Sequence, residues 1–266
     1  MELKTVNNER GVIEQSFELT VAGERVPGLL WSPEGARGPR PLVLIGHGGT
    51  QNKRVANLLS LARRLVRHHG YAAAAIDAPN HGERQPPEEV ERQNEARSAL
   101  QRGQGRPVSS DRMRQMTDNA ARVSGEWKAV LDALLPLPGI EGGPVGYWGL
   151  SMGTAFGVPF LSSEPRVKAA VLGLFGLRAG TGSGAEAFEA AAKSIQIPLL
   201  FIFQLDDELM TPEAGLALFK TFGSKIKSMH VNPGPHVGTP AFEREYYETF
   251  YVRHLGSAKA AATAAE

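Results

Sequence analysis

The stretch Val145-Gly-Tyr-Trp-Gly-Leu-Ser-Met-Gly153 decides how this chain is read. Its first part, Val145 to Leu150, is a short and nearly continuous apolar run, as expected of a strand buried on both faces of a sheet. Its second part, Gly149 to Gly153, fits G-x-S-x-G, and a helical segment starts near Met152. The chain's glycine and serine content would produce the bare pattern by chance about 0.2 times, so context carries the weight: a strand before it and a helix after it. Glycines two residues before and after the serine remove the Cβ atoms that would collide in so sharp a turn. Ser151 is then held at the carboxyl end of the sheet, where ligands bind in open α/β folds.

The same kind of apolar run recurs on both sides. Pro41 to Gly46, Tyr71 to Ala78, Lys168 to Leu174, Pro198 to Leu205 and Lys227 to Val231 are separated by segments of helical period. One of these, Arg54 to His69, carries Leu58, Leu61, Leu65 and Val66 on one side. Such alternation calls for crossover connections and a mostly parallel sheet with helices on both faces. Phe17 to Val21 and Val26 to Trp31, around Ala22-Gly23-Glu24, read as an antiparallel hairpin at the N-terminal edge. We expect one α/β domain over residues 1–256 and a fraying, small-residue tail over 257–266. The polar stretch 83–114 breaks the rhythm. With seven arginines and six acids it reads as a partly helical insertion or a flap, either a solvated excursion or a partial lid over a pocket.

Composition narrows the function classes. The chain has 266 residues, 42% hydrophobic, enough for one large core. No cysteine is present, which excludes disulfides, thiolate metal sites, iron–sulfur clusters and a cysteine nucleophile. Twenty-nine Lys and Arg against 28 Asp and Glu give no basic excess for tracking phosphates, so nucleic acid is not an expected partner. The longest apolar stretches fall well short of the roughly 20 residues of a membrane span. Met1 to Gly11 lacks the basic start and apolar middle of a signal peptide, and a cytoplasmic location is expected. No metal-ligand spacing and no Walker-type phosphate loop appear, so neither a metal nor another cofactor is expected.

A serine hydroxyl needs a base, and a neutral imidazole serves best when a carboxylate fixes its tautomer. In the chain order this architecture uses, acid and histidine follow the serine. Of the seven histidines, only His236, in the turn Pro233 to Gly238, follows a late strand in this way. His230 should lie within a strand and His254 near the end of the last helix. Asp206 and Asp207 both follow the strand ending at Leu205; Asp207, followed by apolar residues and Thr211-Pro212, is the expected acid, with Asp206 the alternative. The oxyanion of an acyl transfer would be held by the backbone N–H of Met152 and one from the loop Gly46 to Gln51. Gly49 is expected to supply the latter, with Thr50 as its alternate. Thr50, Phe175, Leu209, Met210 and Val237 are the expected pocket walls, favouring an apolar or aromatic acyl group of modest size.

With His47-Gly-Gly49, Asp77-Ala-Pro-Asn-His-Gly-Glu-Arg84, Gly149 to Gly153, Asp207 and His236, the sequence resembles the α/β-hydrolase superfamily over about residues 15–255. Within it, the resemblance is to dienelactone-hydrolase-like and acylaminoacyl-peptidase-like serine esterases. That resemblance implies an α/β-hydrolase fold and a structural His81 shaping a loop beside the pocket. Two departures stand out: dienelactone hydrolases themselves use a cysteine nucleophile, and 178–197 is too short for the large cap many relatives insert there. The expected activity is therefore hydrolysis of a small carboxylic ester through an acyl-enzyme. Lactone, amide or carbon–carbon bond cleavage by the same triad is the alternative. More remote are a non-catalytic binding protein and an NAD(P)-binding oxidoreductase, the latter suggested by Gly180-Thr-Gly-Ser-Gly-Ala185 with Asp206 beyond it. The arginines of 83–114 would suit an acidic substrate group, and a homodimer through the hairpin or a sheet edge is open.

Overall fold

All six apolar runs form strands. A computed structural model describes residues 1–105, 110–177 and 183–258. The runs become β4 (Leu42–Gly46), β5 (Ala72–Ile76), β6 (Val145–Leu150), β7 (Val167–Gly173), β8 (Leu199–Gln204) and β9 (Lys227–Asn232). Every residue of β4, β5, β6 and β8 is buried, which is why their sequences show no polar alternation. The N-terminal edge has three strands, not two: β1 (Lys4–Glu9), β2 (Val12–Val21) and β3 (Glu24–Pro33). β1 is exposed along nearly its whole length and is held by pairing with β2, so no hydrophobic period marks it. The nine strands run in the order β1-β2-β3-β5-β4-β6-β7-β8-β9, antiparallel as far as β3 against β5 and parallel from there on. This is the α/β-hydrolase fold.

Alternate side chains feed two cores. Leu42, Leu44, Tyr147, Leu172 and Phe201 face one layer, with α3 (Ser110–Leu134), α4 (Met152–Ser163), α5 (Ser183–Ser194) and α6 (Pro212–Thr221) packed on that side. Val43, Ile45, Trp148, Val171 and Ile202 face the other, covered by α1 (Ala56–His69) and α7 (Glu243–Leu255). α1 buries Leu58, Leu61, Leu65 and Val66 as its spacing predicts. It ends at Gly70 in the left-handed conformation that closes helices, after Arg67, His68 and His69.

The insertion is helical. After a 3-10 turn at Gly82–Arg84 come α2 (Pro87–Gln101) and the start of α3. α2 buries no residue fully, which explains its weak sequence signature. The expected tail lies outside the described residues from 259 onward, as do 180–182 of the glycine string. Among the described residues, no helix is long and apolar enough to cross a membrane. What the topology contributes to function is a switch point. β4 continues through α1 to β5 on one side and has β6 as its other neighbour, so the loops after β4 and β6 open a crevice at the carboxyl edge.

Candidate active site

Ser151 lies in this crevice, between β6 and α4, with φ 58° and ψ −118°. A non-glycine residue at positive φ is strained, and such strain persists only where the surroundings over-determine it. Here they do. Ser151 N–H donates to Gly173 O at 2.9 Å. The buried Thr154 hydroxyl accepts from Gly173 N–H at 2.8 Å and lies 2.8 Å from Gly149 O and 2.7 Å from Gly173 O. The motif glycines are required by contact: a Cβ on Gly149 would sit 2.6 Å from Gly153 O, and one on Gly153 would sit 2.6 Å from Gly46 O.

Three side chains far apart in sequence meet at this turn. His236 Nε2 is 2.9 Å from Ser151 Oγ, and His236 Nδ1 is 2.7 Å from Asp207 Oδ2. The Asp207 side chain is fully buried, and its second oxygen accepts Leu209 N–H at 2.8 Å and Met210 N–H at 3.0 Å. With both carboxylate oxygens engaged, its orientation toward the imidazole is fixed. Asp206, the alternative acid, points elsewhere and accepts Gly234 N–H at 2.8 Å. Glu208 accepts His236 N–H at 2.9 Å and steadies the turn that carries the histidine. Ser151, His236 and Asp207 form a Ser-His-Asp triad.

Two other expected placements hold. His230 lies in β9 and pairs with Glu243, and His254 lies in the last turn of α7.

The loop after β4 is braced from below. His47 is buried; its Nε2 accepts Ala78 N–H at 3.0 Å while Nδ1 lies 2.8 Å from Gly48 O. Burial, followed by the neighbouring His81, pushes the His47 pKa down to about 4. This imidazole is neutral and acts as a strut. His81 spans Pro79 O and Gly49 O at 2.8 and 3.0 Å. Lys53, also buried, donates from Nζ to Asp77 at 2.5 Å and to Glu83 at 2.6 Å. Burial works to raise the Asp77 pKa, but Lys53 and two backbone N–H donors outweigh it and hold the carboxyl below its ordinary value. Lys53 and Thr154 went unnoticed in the sequence, because neither carries a motif of its own.

A cavity of about 930 Å³ opens over the serine. Gly49, Thr50, Met152, Phe175, Leu209, Met210 and Val237 all line it, together with Ser151 and His236. Asn94, Arg97 and Leu100 of α2 form part of the wall, so the insertion does border the pocket. Arg54, Arg97 and Arg244 line it as well, and no Asp or Glu does so among the described residues. For metals, the fold brings together His68, His69 and Glu248, whose ligand atoms lie within 4.8 Å of one another. These residues are some 180 positions apart, beyond any spacing rule, and Glu248 is already bonded to Arg64 and both histidines.

The profile of the dienelactone hydrolase family matches residues 26–255. The chain belongs to the dienelactone hydrolase family. Its Ser151-His236-Asp207 triad makes it a serine hydrolase. Among solved structures, it is similar to a cold-adapted esterase from an Arctic intertidal metagenomic library. That PEG-bound structure is 35% identical, covers 96% of this chain and 100% of its own, and has a TM-score of 0.78. An acetyl xylan esterase from Paenibacillus sp. R4 is 17% identical over 96% of this chain and 88% of its own, with a TM-score of 0.72. Est1E from Butyrivibrio proteoclasticus, with ferulic acid bound, is 16% identical over 91% and 100%, with a TM-score of 0.66. These last two share the fold. A search of curated proteins found no significant match.

Proposed function

We propose that this chain is a cofactor-independent carboxylic ester hydrolase. The observation that carries the reading is the continuous relay from Asp207 through His236 to Ser151 Oγ at the mouth of the cavity. His236 takes the serine proton as Oγ attacks the carbonyl, then delivers it to the leaving alcohol; water releases the acyl group by the same route. Met152 N–H and Gly49 N–H stabilise the oxyanion. Met152 opens α4, so its N–H has no partner within the helix and sits at the positive end of the helix dipole. Gly49 is held at that position by the bond from His81 to its carbonyl. Removing one such donor costs about 3 kcal/mol of transition-state stabilisation.

Phe175, Leu209, Met210, Val237 and Thr50 wall the pocket and favour an apolar or aromatic acyl group of modest size. The similar cold-adapted esterase supports esters over lactones or amides. A net charge of only +1, without a basic excess, supports a small-molecule substrate over nucleic acid. The same reading takes the protein to act in the cytoplasm, with β1 or β9 as the sheet edge available for pairing two copies.

The test is intact mass after reaction with a fluorophosphonate, followed by a panel of esters, lactones and amides that includes neutral and carboxylate-bearing esters of equal size. One adduct on the native chain, lost in Ser151→Ala and His236→Ala, with turnover concentrated among esters, is the expected result. A folded native chain that takes no adduct would overturn the assignment.

A further inference from the structure

The last turn of α1 holds side chains that the reaction does not use. α1 follows β4 at the carboxyl edge of the sheet, where Ser151 lies, and delivers the chain to the start of β5 at the opposite edge. Its final residues, His68 and His69, therefore stand at the edge of the sheet remote from the cavity, and neither lines it. There they meet Glu248 of α7. His68 Nδ1 and His69 Nε2 lie 2.8 and 3.0 Å from the same carboxylate oxygen, Oε2, and the three ligand atoms lie within 4.8 Å of one another. The two imidazole rings are edge to face, with centroids 6.0 Å apart. The other oxygen, Oε1, accepts from Arg64 Nε, which fixes the carboxylate from behind as outer partners fix metal ligands. The Glu248 side chain is 6% exposed, that of His69 23% and that of His68 45%, so the carboxylate forms the floor of the group and solvent reaches it from the histidine side.

Two imidazole nitrogens and one carboxylate oxygen are the donor set of three-ligand zinc sites, in which water takes the fourth position. Around a tetrahedral ion with bonds of about 2.1 Å, neighbouring ligand atoms stand about 3.3 Å apart. The N···O separations of 2.8 and 3.0 Å need to open by only about half an ångström or less to reach that value. His68, nearly half exposed at a helix end, has room to move by that much. An uncharged imidazole frees the nitrogen that faces Oε2 by shifting its one proton to the other ring nitrogen. Arg64 adds a repelling charge at this place, and the C-terminal end of the α1 dipole partly offsets it by favouring a cation there.

We propose that His68, His69 and Glu248 form a zinc-binding site in which the ion clamps the end of α1 to α7. The site takes no part in ester hydrolysis and stands independently of that reading. What the ion contributes is stability, since it joins the two helices that cover one face of the sheet. Magnesium and calcium, which take oxygen ligands, do not suit a donor set with two nitrogens.

The test uses the whole chain, dialysed against a chelator and then titrated with zinc chloride at neutral pH by calorimetry. One equivalent is expected to bind with a dissociation constant on the order of 10 µM. With zinc at about a hundred times that constant the melting temperature should rise by about 5 °C, and equal magnesium or calcium should leave it unmoved. His68→Gln and His69→Gln should each weaken binding by about tenfold or more and remove the rise. Both side chains are partly exposed, so folding is not at stake in either variant. His254→Gln, in α7 but outside the group, should bind zinc as the native chain does. Binding that is lost in His236→Ala and kept in His68→Gln would place the ion in the active site and overturn the proposal. So would the absence of saturable binding below about 1 mM, or a thermal rise that survives both histidine substitutions in α1.

Discussion

Asp207→Asn and Asp206→Asn change neighbouring residues by the same single atom, and the structure expects opposite outcomes. Asp207 Oδ1 accepts two backbone N–H groups, from Leu209 and Met210, while Oδ2 faces His236 Nδ1 at 2.7 Å. An asparagine at 207 must keep its oxygen toward the two N–H groups, because its NH2 would repel them. Its NH2 then faces Nδ1, and since an amide nitrogen only donates, the imidazole must place its proton on Nε2. That proton points at Ser151 Oγ, 2.9 Å away, and the base is occupied. A wrong tautomer of this kind lowers kcat by about 10⁴, or about 5.4 kcal/mol of transition-state stabilisation. KM and melting temperature should change little, since the fold keeps its two backbone bonds. Among the described residues the Asp206 carboxylate accepts only Gly234 N–H, a bond that asparagine can still receive, so Asp206→Asn should stay within a few-fold of the native rate. Steady-state hydrolysis of a short ester and the rate of fluorophosphonate labelling read both variants. Equal losses in the two, or an Asp207→Asn enzyme retaining more than about a tenth of native kcat, would refute the assignment of roles.

Two further outcomes test the elbow and its support. In Gly153→Ala the new Cβ would lie 2.6 Å from Gly46 O, backbone against backbone, so β4 and α4 must separate; a loss of about 1–3 kcal/mol in urea unfolding with slower labelling is expected. Unchanged stability and labelling would mean that the two segments do not approach so closely. His47, with its pKa lowered to about 4 against about 6.5 when unfolded, contributes stability that is fully present above pH 6.5 and is lost as pH falls through 4. Denaturation midpoints measured from pH 7.5 to 4 should decline over that window, and His47→Gln should flatten the decline; an equally steep curve in the variant would place the effect elsewhere.

The sequence revealed the nucleophile because its signal is local: strand, turn and helix adjoin in nine residues, and two of the glycines are required by contacts of 2.6 Å. His236 was readable by chain order, and Asp207 by order plus the Thr211-Pro212 helix start, with Thr211 capping Ala214 N–H. Between adjacent aspartates, only the fold decides which carboxylate faces inward. β1 was missed because an exposed edge strand held by a bulged ladder has no apolar period. α2 was half-read for a similar reason, having polar residues all round and one side on the cavity.

The segment Asp77 to Arg84 shows how a motif can matter without touching substrate. Its Asp77 accepts the backbone N–H and the ammonium of Lys53 and the N–H of Glu83, tying the end of β5 to the chain that enters α1. Ala78 N–H bonds His47, and His81 bonds the carbonyl of Gly49, so the same eight residues grip the loop after β4 at two points. Arg84 forks onto Glu126 of α3 at 2.8 Å through both terminal nitrogens, and both side chains are nearly fully buried. A buried pair of this sort adds little net stability, but breaking it is costly, so it fixes geometry more than it lowers energy. An oxyanion donor has to be in place before charge develops, because reorganising it during the reaction would raise the barrier it is meant to lower. Under the proposed mechanism, the buried Lys53–Asp77 and Arg84–Glu126 pairs would therefore serve the reaction through rigidity, by steadying the loop after β4 that carries Gly49.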